Sequence, residues 1–240
     1  MRKILLLKTV FLFMILSYAQ EIVQDMPVTN GIVNTSFLSG NTLYIGGNFS
    51  YTGPYTGSAV PVSNTTGIPE TDFPKVNGPV EVIVPDGAGG WFIGGRFTEI
   101  GGVNQAYIAH VLSDKSVDLS WAPAVSYTVR TIALAGSIVY IGGDFSTING
   151  QPRHYIGAIN ATDGSLVSWA PDADGYVYTL AVSGSSVYAG GVFTTIGGAS
   201  RNRIAQLNIS DALATDWNPN ADQTVLTLAV SNSTIYAGGS

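Results

Sequence analysis

The eleven residues from Tyr140 to Gly150, YIGGDFSTING, decide the fold because their pattern recurs along the chain at one constant spacing. Three columns within this stretch and two beyond it keep the same 48-residue step in phase, so one structural unit is repeated in tandem. The columns are Gly46, Gly94, Gly142, Gly190 and Gly238; Tyr44, Phe92, Tyr140, Tyr188 and Tyr236; Phe49, Phe97, Phe145 and Phe193; Phe73, Trp121, Trp169 and Trp217; and Val60, Ile108, Ile156 and Ile204.

One repeat unit, residues 129–176, consists of four short β-rich runs separated by turn residues. Asn149-Gly150 and Asp163-Gly164 lie between runs, and such pairs are typical of hairpins because a type I′ turn needs positive φ at both central positions. Four strands per unit with no helical stretch predict an all-β fold, a β-propeller built from 48-residue four-stranded antiparallel blades. A β-solenoid is the alternative, although its coils usually repeat at shorter periods.

The phase of the repeat sets the predicted domain boundaries. Residues 1–19 are expected to be a signal peptide and residues 20–240 a β-propeller. Within the propeller we expect a lone fourth-strand segment at 20–32, blades at about 33–80, 81–128, 129–176 and 177–224, and a partial blade at 225–240. Because the fifth unit stops at Ser240, within its second strand, we expect an incomplete ring, that is, a fragment of a longer protein.

The N-terminus has the layout of a secretory signal peptide. Two basic residues precede an apolar run that is interrupted once by Lys8, and the small-x-small triplet Ser17-Tyr18-Ala19 follows. A membrane anchor is the alternative, but the run is short for a bilayer. No later stretch approaches spanning length, so we expect a secreted or cell-surface protein with no transmembrane segment in the mature chain.

Composition narrows the class of protein further. With 29 glycines and only 11% charged residues, the chain is suited neither to disorder nor to long amphipathic helices. The net charge is −6, and the predicted signal peptide contains three of the ten basic residues, so the mature chain is more acidic still, which argues against binding nucleic acid. The absence of cysteine excludes disulfides and thiol chemistry and suggests a bacterial extracellular protein.

The repeat resembles the delta-60 repeat, a β-propeller repeat of secreted and surface bacterial proteins. The stretches that carry the resemblance are IGGRFTEIGG at 93–102, IGGDFSTING at 141–150 and AGGVFTTIGG at 189–198, each followed by a run such as IGAIN or IAQLN. The chain departs from that family at one position of the third strand. The family often has an arginine before a leucine there, whereas the units of this chain have Val62, His110, Ala158 and Gln206. It also has tryptophan where the family favours phenylalanine. Since the family has no generally assigned activity, the resemblance implies a fold rather than a function.

The glycine doublets could be phosphate-binding loops, because exposed backbone N–H groups bind anions. A P-loop, however, needs a strand that leads into a helix, with Lys and Ser or Thr, and no doublet is followed by these features. We therefore expect the glycines to allow close packing between blades. The residue that follows each doublet varies from unit to unit. These residues either face solvent or form a ring of side chains that a ligand could contact. Its members Asn48, Arg96 and Asp144 are the candidate ligand-contacting residues.

No catalytic, cofactor-binding or metal-binding residue is predicted. The two histidines, His110 and His154, lack metal-ligand spacing, and a surface position explains both. Asp172 and Asp174 have the short acidic spacing of a calcium turn but lack the later bidentate glutamate of an EF-hand. We expect a solvated turn there, with a calcium ion as the alternative.

The tryptophans of the repeat are expected to pack between blades, where each buries a large apolar area. They are Trp121, Trp169 and Trp217. A quinoprotein-like propeller is an alternative, since AINATDGSLVSW at 158–169 is similar to the blade motif of quinoproteins, although the spacing between its glycine and tryptophan is one residue longer.

These features predict a secreted, non-enzymatic β-propeller that acts as a binding or display scaffold, with an extracellular protein or a glycan as its partner. The alternative is an extracellular enzyme that acts on glycans or other polymers, with Asp144, Asp172 and Asp174 near a channel. Three or more non-repeating charged side chains that meet at one channel mouth would count against a scaffold.

Overall fold

The chain is described by a computed structural model that covers residues 29–50 and 57–240. Every regular element in these residues is a β-strand, as the repeat predicts. The strands are β1 (Ile32–Ser39), β2 (Thr42–Asn48), β3 (Ala59–Ser63), β4 (Val80–Pro85), β5 (Trp91–Gly95), β6 (Glu99–Ile100), β7 (Val103–Asn104), β8 (Ile108–Val111), β9 (Val129–Ala135), β10 (Ile138–Gly143), β11 (Thr147–Ile148), β12 (Gln151–Pro152), β13 (Ile156–Asn160), β14 (Val177–Ser183), β15 (Ser186–Gly191), β16 (Thr195–Ile196), β17 (Ala199–Ser200), β18 (Ile204–Asn208), β19 (Val225–Ser231) and β20 (Thr234–Gly239).

The strands form one small antiparallel sheet per repeat unit. The sheet orders are β1-β2-β3, β4-β5-β8, β9-β10-β13, β14-β15-β18 and β19-β20. The GG doublet lies at the end of the second strand of each unit, which is the central strand of every three-stranded sheet. In the third unit this register places Tyr140 opposite Ala133 on one side and Ala158 on the other.

A short hairpin of two-residue strands connects the second and third strands in three of the units. In the third unit its turn is Asn149-Gly150, with φ of 50° and 74°. Both values are positive, as a type I′ turn requires, which confirms the turn predicted from this pair. Asp163-Gly164 differs, because only Gly164, at 70°, has positive φ and the Asp163 carboxylate accepts a hydrogen bond from Ser165 N instead.

The fourth strand predicted for each blade is a shorter element in the structure. In the third unit, Ile159 and Leu166 form an isolated antiparallel bridge, flanked by backbone hydrogen bonds from Asn160 N to Ser165 O and from Val167 N to Ala158 O. Equivalent bridges occur in the first, second and fourth units. The chain then turns away towards the next unit, so the pairing ends after two bonds and the sheet itself is three-stranded.

The core lies between consecutive sheets rather than within one of them. Each of the three largest buried clusters combines side chains from two neighbouring units. The first strand of each unit contacts the first strand of the next, in the pairs β1–β4, β4–β9, β9–β14 and β14–β19. Over the described residues this arrangement is an open series of sheets and not a closed ring.

The first glycine of each doublet permits this packing, as the sequence predicts. A Cβ atom placed on Gly142 would lie 2.7 Å from Val177 Cγ1, on the first strand of the next unit. Gly94 faces Val129, and Gly190 faces Val225, in the same way. Glycine is required here because the valine methyl occupies the space of a side chain.

Two of the three tryptophans contribute to the packing between units as expected. Trp121 and Trp169 are buried, and each indole Nε1 donates a hydrogen bond across the interface to the last residue of the next unit's third strand, namely Asn160 O and Asn208 O, both at 2.9 Å. Trp217 is only half-buried and packs edge-on against Tyr188 of its own unit.

The predicted signal peptide at 1–19 and most of the predicted segment at 20–32 lie outside the described residues. Within the described ranges, the structure contains no helix of the length and apolarity needed to cross a membrane.

Candidate functional site

A β-bulge interrupts the first strand of every unit at the same place. In the third unit, Val129 pairs with Gly143 and Thr131 with Gly142, which leaves Arg130 without a partner on β10. The residues in this position are Asn34, Glu81, Arg130, Tyr178 and Leu226. A bulge redirects the side chain of its extra residue, so one side chain per unit leaves the ladder.

The second glycine of the doublet makes the bulge possible. A Cβ on Gly143 would collide with the backbone carbonyl oxygen of Thr128, which the bulge brings against the central strand. Gly95 and Gly191 face the carbonyls of Pro79 and Tyr176 in the same manner. The two glycines therefore have different roles. The first leaves space for a side chain of the next unit, and the second leaves space for the bulged backbone of the first strand.

The five bulge residues line a single cavity of about 570 Å³, to which each unit contributes one residue. We call this space the bulge-lined cavity. Its volume lies within the ~300–1,000 Å³ that small-molecule sites occupy in proteins. The backbone repeats around the cavity while the side chains do not, so the cavity presents an amide, a carboxylate, a guanidinium, a phenol and an aliphatic group.

The two charged bulge residues are held by ion pairs. Arg130 donates from Nε and Nη2 to the two carboxylate oxygens of Asp144 at 2.6 and 2.7 Å. Asp144 is largely buried, with a side chain that is 9% exposed, whereas Arg130 is 31% exposed. The hydrogen bonds from Arg130 to Asp144 raise the pKa of the guanidinium. Glu81 accepts a hydrogen bond from Arg96 Nε at 3.0 Å.

Neighbouring side chains also orient the members of the ring. The Arg130 Cζ atom lies 5.2 Å from the centre of the Tyr178 ring, a cation–π contact. Asn34 Nδ2 lies 3.3 Å from both Val80 O and Glu81 Oε2, to which it donates hydrogen bonds. The first four members are thus held by polar contacts, while Leu226 is 53% exposed.

The structure places the three predicted ligand-contacting residues in two different settings. Arg96 and Asp144 lie directly behind the bulge-lined cavity, because each forms an ion pair with a bulge residue. Asn48 lies opposite Ile32 on the first sheet, is exposed, and does not line the cavity. The bulge residues themselves were missed by sequence reasoning. Their signal is the variable x in the recurring Val-x-Thr or Val-x-Val of the first strand.

Four non-repeating charged side chains therefore meet at one site: Glu81, Arg96, Arg130 and Asp144. This number meets the criterion stated above, which counts against a scaffold. The charges are compensated in two pairs, however, because Asp144 accepts two hydrogen bonds from Arg130 and Glu81 accepts one from Arg96. The arrangement is suited to binding a ligand.

A second polar cluster surrounds His110, and here the expectation of a surface position is wrong. His110 is 8% exposed and lies between two carboxylates, with Nε2 3.0 Å from Asp86 Oδ2 and Nδ1 2.9 Å from Asp118 Oδ2. Its ring stacks on Phe92 at 4.5 Å and meets Trp121 edge-on at 5.9 Å. The carboxylates compensate the polar ring, which explains how a histidine occupies a buried strand position. His154, in contrast, is exposed as predicted.

The acidic pair considered for calcium uses its carboxylates within the fold. Asp172 accepts a hydrogen bond from His154 N, and Asp174 accepts hydrogen bonds from the backbone of Thr194 and Thr195. Over residues 29–50 and 57–240, no group of three His, Cys, Asp or Glu residues is arranged to hold a metal ion.

Comparison with known proteins bears on the fold. A family described as a domain of unknown function (DUF5122) beta-propeller matches residues 186–209, from the start of β15 to just past β18. The fold is β-propeller-like. No curated protein matches the sequence.

Two solved structures are similar to this chain in fold alone. The computationally designed Ika4 protein has a TM-score of 0.50 and 15% identity over 78% of this chain and 99% of its own. The extracellular domain of a protein named as a putative hybrid two component system of B. thetaiotaomicron has a TM-score of 0.52 and 13% identity over 86% of this chain. The match spans 26% of that second chain.

Proposed function

We propose that this protein is a secreted, non-enzymatic β-propeller that binds an extracellular ligand in the bulge-lined cavity. One observation supports this proposal above all: five chemically different side chains, one from each repeat, converge on one cavity. A repeat that served packing alone would have no need for this variation at a position that faces a shared space. A ligand-binding surface has such a need, since recognition depends on a few placed polar groups.

The finer features of the protein belong to the same proposal. We infer delta-60-type units, each forming one propeller blade whose short bridged segment is the counterpart of a fourth strand. Export by the N-terminal segment 1–19 is consistent with the similarity in fold to an extracellular domain. No cofactor is needed for binding at this cavity.

An enzyme acting on an extracellular polymer is the second candidate, because four non-repeating charges meet at the cavity. A hydrolase of the glycosidase type needs two carboxyls at a defined separation, one of them protonated. Here Glu81 and Asp144 each accept hydrogen bonds from a paired arginine, and of the two carboxyls only that of Glu81 lines the cavity. The pairing therefore favours binding over acid–base catalysis.

The proposal is tested by assaying the purified chain for both binding and turnover on a panel of extracellular polysaccharides, peptidoglycan and fibrous proteins. We expect binding that weakens at least about tenfold (~1.4 kcal/mol) in Tyr178→Ala and in Arg130→Ala, with no product release. The control is Lys115→Ala, which removes an ion-paired cation that contacts Glu70 and Asp72 away from the cavity. Turnover that disappears in Asp144→Ala would instead establish an enzyme.

A further inference from the structure

We propose that the ligand of the bulge-lined cavity is a neutral glycan, whose chain extends from the cavity over two pairs of tyrosines. This inference rests on the proposed function and specifies its ligand class. It is carried by the charge balance of the cavity and by the position of the tyrosines beside it.

The cavity offers the groups that bind hydroxyls and carries no net charge. Its two acidic and two basic side chains form the pairs Glu81–Arg96 and Arg130–Asp144. An anionic polymer would find no uncompensated cation among these four groups, and a cationic one no free carboxylate. Asn34 adds an amide, which can both donate to and accept from hydroxyls, while the paired carboxylates can accept from hydroxyls and the guanidinium groups can donate to them. Neutral sugars, which are both donors and acceptors, match this set.

Aromatic side chains continue the site outward from Tyr178. The Tyr176 ring lies 6.3 Å from that of Tyr178 and 5.4 Å from that of Tyr155, and its side chain is 43% exposed. Tyr176 is two residues before the bulge residue, so it stands at the same end of β14 as the cavity. The exposed ring faces of such tyrosines are suited to the apolar C–H face of a sugar ring, since they combine a flat apolar surface with a hydroxyl.

The neighbouring junction carries a second tyrosine pair, in which Tyr127 stands one position earlier in the repeat than Tyr176. Tyr107 and Tyr127 lie 5.7 Å apart, and Tyr127 is 54% exposed. Tyr107 and Tyr155 occupy the same column of the repeat, and both have left-handed backbones, with φ of 67° and 65°. Each uses its carbonyl to accept a hydrogen bond from the second glycine of its doublet, at Gly95 and Gly143.

One tyrosine of each pair is thus bonded through its backbone to the doublet that faces the bulge, and the Tyr155–Tyr176 pair adjoins the cavity through Tyr178. Paired aromatic surfaces on adjacent units suit a ligand that is itself a repeat of rings. Tyr178 and Arg130 are residue types that also occur at protein hot spots, so binding of a protein ligand is one outcome that the test below must distinguish.

The test uses an array of neutral and acidic glycans, followed by affinity electrophoresis of the purified chain in gels that contain the neutral polysaccharide bound best. We expect Tyr176→Ala to weaken binding about tenfold and Tyr127→Ala severalfold, while Tyr176→Phe retains most of it. Tyr236→Ala is the matched control, because Tyr236 is 60% exposed and belongs to neither pair. All three positions changed are surface tyrosines, so folding should be preserved and is checked by melting temperature.

Three results would overturn the glycan assignment. They are binding to acidic glycans alone, a response to Tyr236→Ala equal to that of Tyr176→Ala, and binding of no glycan on the array. The proposed function is tested separately, by the binding measurements with the fibrous proteins of the panel. If a fibrous protein binds and Arg130→Ala or Tyr178→Ala abolishes this binding, the cavity is a protein site and only the glycan assignment is lost. If no ligand of either class depends on the cavity residues, both proposals are wrong.

Discussion

Trp169 Nε1 donates a hydrogen bond to Asn208 O at 2.9 Å and so joins the end of one unit to the third strand of the next. The same bond is formed by Trp121 and Asn160 one repeat earlier. Because Trp169 is also only 5% exposed, it combines a large buried area with a satisfied donor at the interface between units. The interface is where most of the core of this protein lies.

Replacing Trp169 by alanine should therefore destabilise the fold by about 3 to 5 kcal/mol, the usual cost of truncating a buried aromatic residue. Trp217→Ala is the matched control and should cost clearly less, because that ring is half-buried. Trp169→Phe should cost about 1 kcal/mol, mainly the lost hydrogen bond. Urea unfolding of the three variants measures these differences. Equal losses for Trp169→Ala and Trp217→Ala would show that the interface does not depend on the buried Trp169 indole.

Alanine at Gly142 should destabilise the protein by about 1 to 3 kcal/mol, because its Cβ would lie 2.7 Å from Val177 Cγ1. The valine is stiff about χ1 and cannot move away easily. In a double-mutant cycle, Val177→Ala should recover only part of this loss, because the added Cβ would also lie 2.8 Å from Thr131 Cγ2. Gly238→Ala is the control, because its nearest contact would be Thr227 Cγ2 at 3.0 Å. If the losses of stability in Gly142→Ala and Val177→Ala were additive in the double mutant, the close approach of these two positions would be contradicted.

The fold was predictable from the sequence to the extent that it depends on repetition. A constant repeat period, two turn pairs and an invariant glycine doublet indicate successive small antiparallel sheets with close packing between them. The fourth strand was over-predicted. Its β-rich composition suggested a full strand, but its tryptophan is directed to the next unit, and the chain leaves the sheet after one bridge.

The candidate site was only half predictable for a physical reason. Reasoning from the variable column found Arg96 and Asp144, which lie beside the cavity. The bulge residues were not predicted because we assumed strict alternation of side chains between the two faces of a strand. A bulge inserts one extra residue and so shifts this alternation by one position. His110 escaped because its two carboxylate partners are distant in sequence, so no local pattern shows them.

The cluster around His110 should make stability depend on pH in the acid range. Burial raises the pKa of Asp86, but hydrogen bonds from His110 and from Ala88 N and Gly90 N outweigh it and hold this pKa below its ordinary value. Burial likewise raises the pKa of Asp118, and hydrogen bonds from Ser120 and His110 lower it overall.

A carboxyl whose pKa is lower in the folded state stabilises the protein above its unfolded pKa of about 3.9, and this contribution is lost as the pH falls through the folded value. The melting temperature of the wild-type protein should therefore fall below about pH 4, and part of this fall should be missing in Asp86→Asn. The control is Asp211→Asn, whose carboxylate accepts a hydrogen bond from Leu213 N in an exposed turn and which should keep the wild-type profile. Parallel profiles for the wild type and Asp86→Asn would contradict the role of the cluster.

The two ion pairs behind the cavity should differ in their contribution to stability. Arg130→Ala leaves the largely buried Asp144 without its bidentate partner, and a buried charge left uncompensated is costly. We expect a loss of about 1 to 3 kcal/mol, because Arg130 is itself partly exposed and the pair is partly screened. Adding Asp144→Asn should restore part of this loss by removing the unpaired charge.

Arg96→Ala serves as the comparison, because Arg96 is 51% exposed and its partner Glu81 is 15% exposed. A surface pair of this kind contributes about 0 to 1 kcal/mol, so the variant should unfold close to the wild type. Urea unfolding at low and high salt distinguishes the pairs, since the contribution of Arg96 should decrease with salt more than that of Arg130. If Arg130→Ala were as mild as Arg96→Ala, the charged members of the cavity would be held too weakly to present a fixed surface to a ligand.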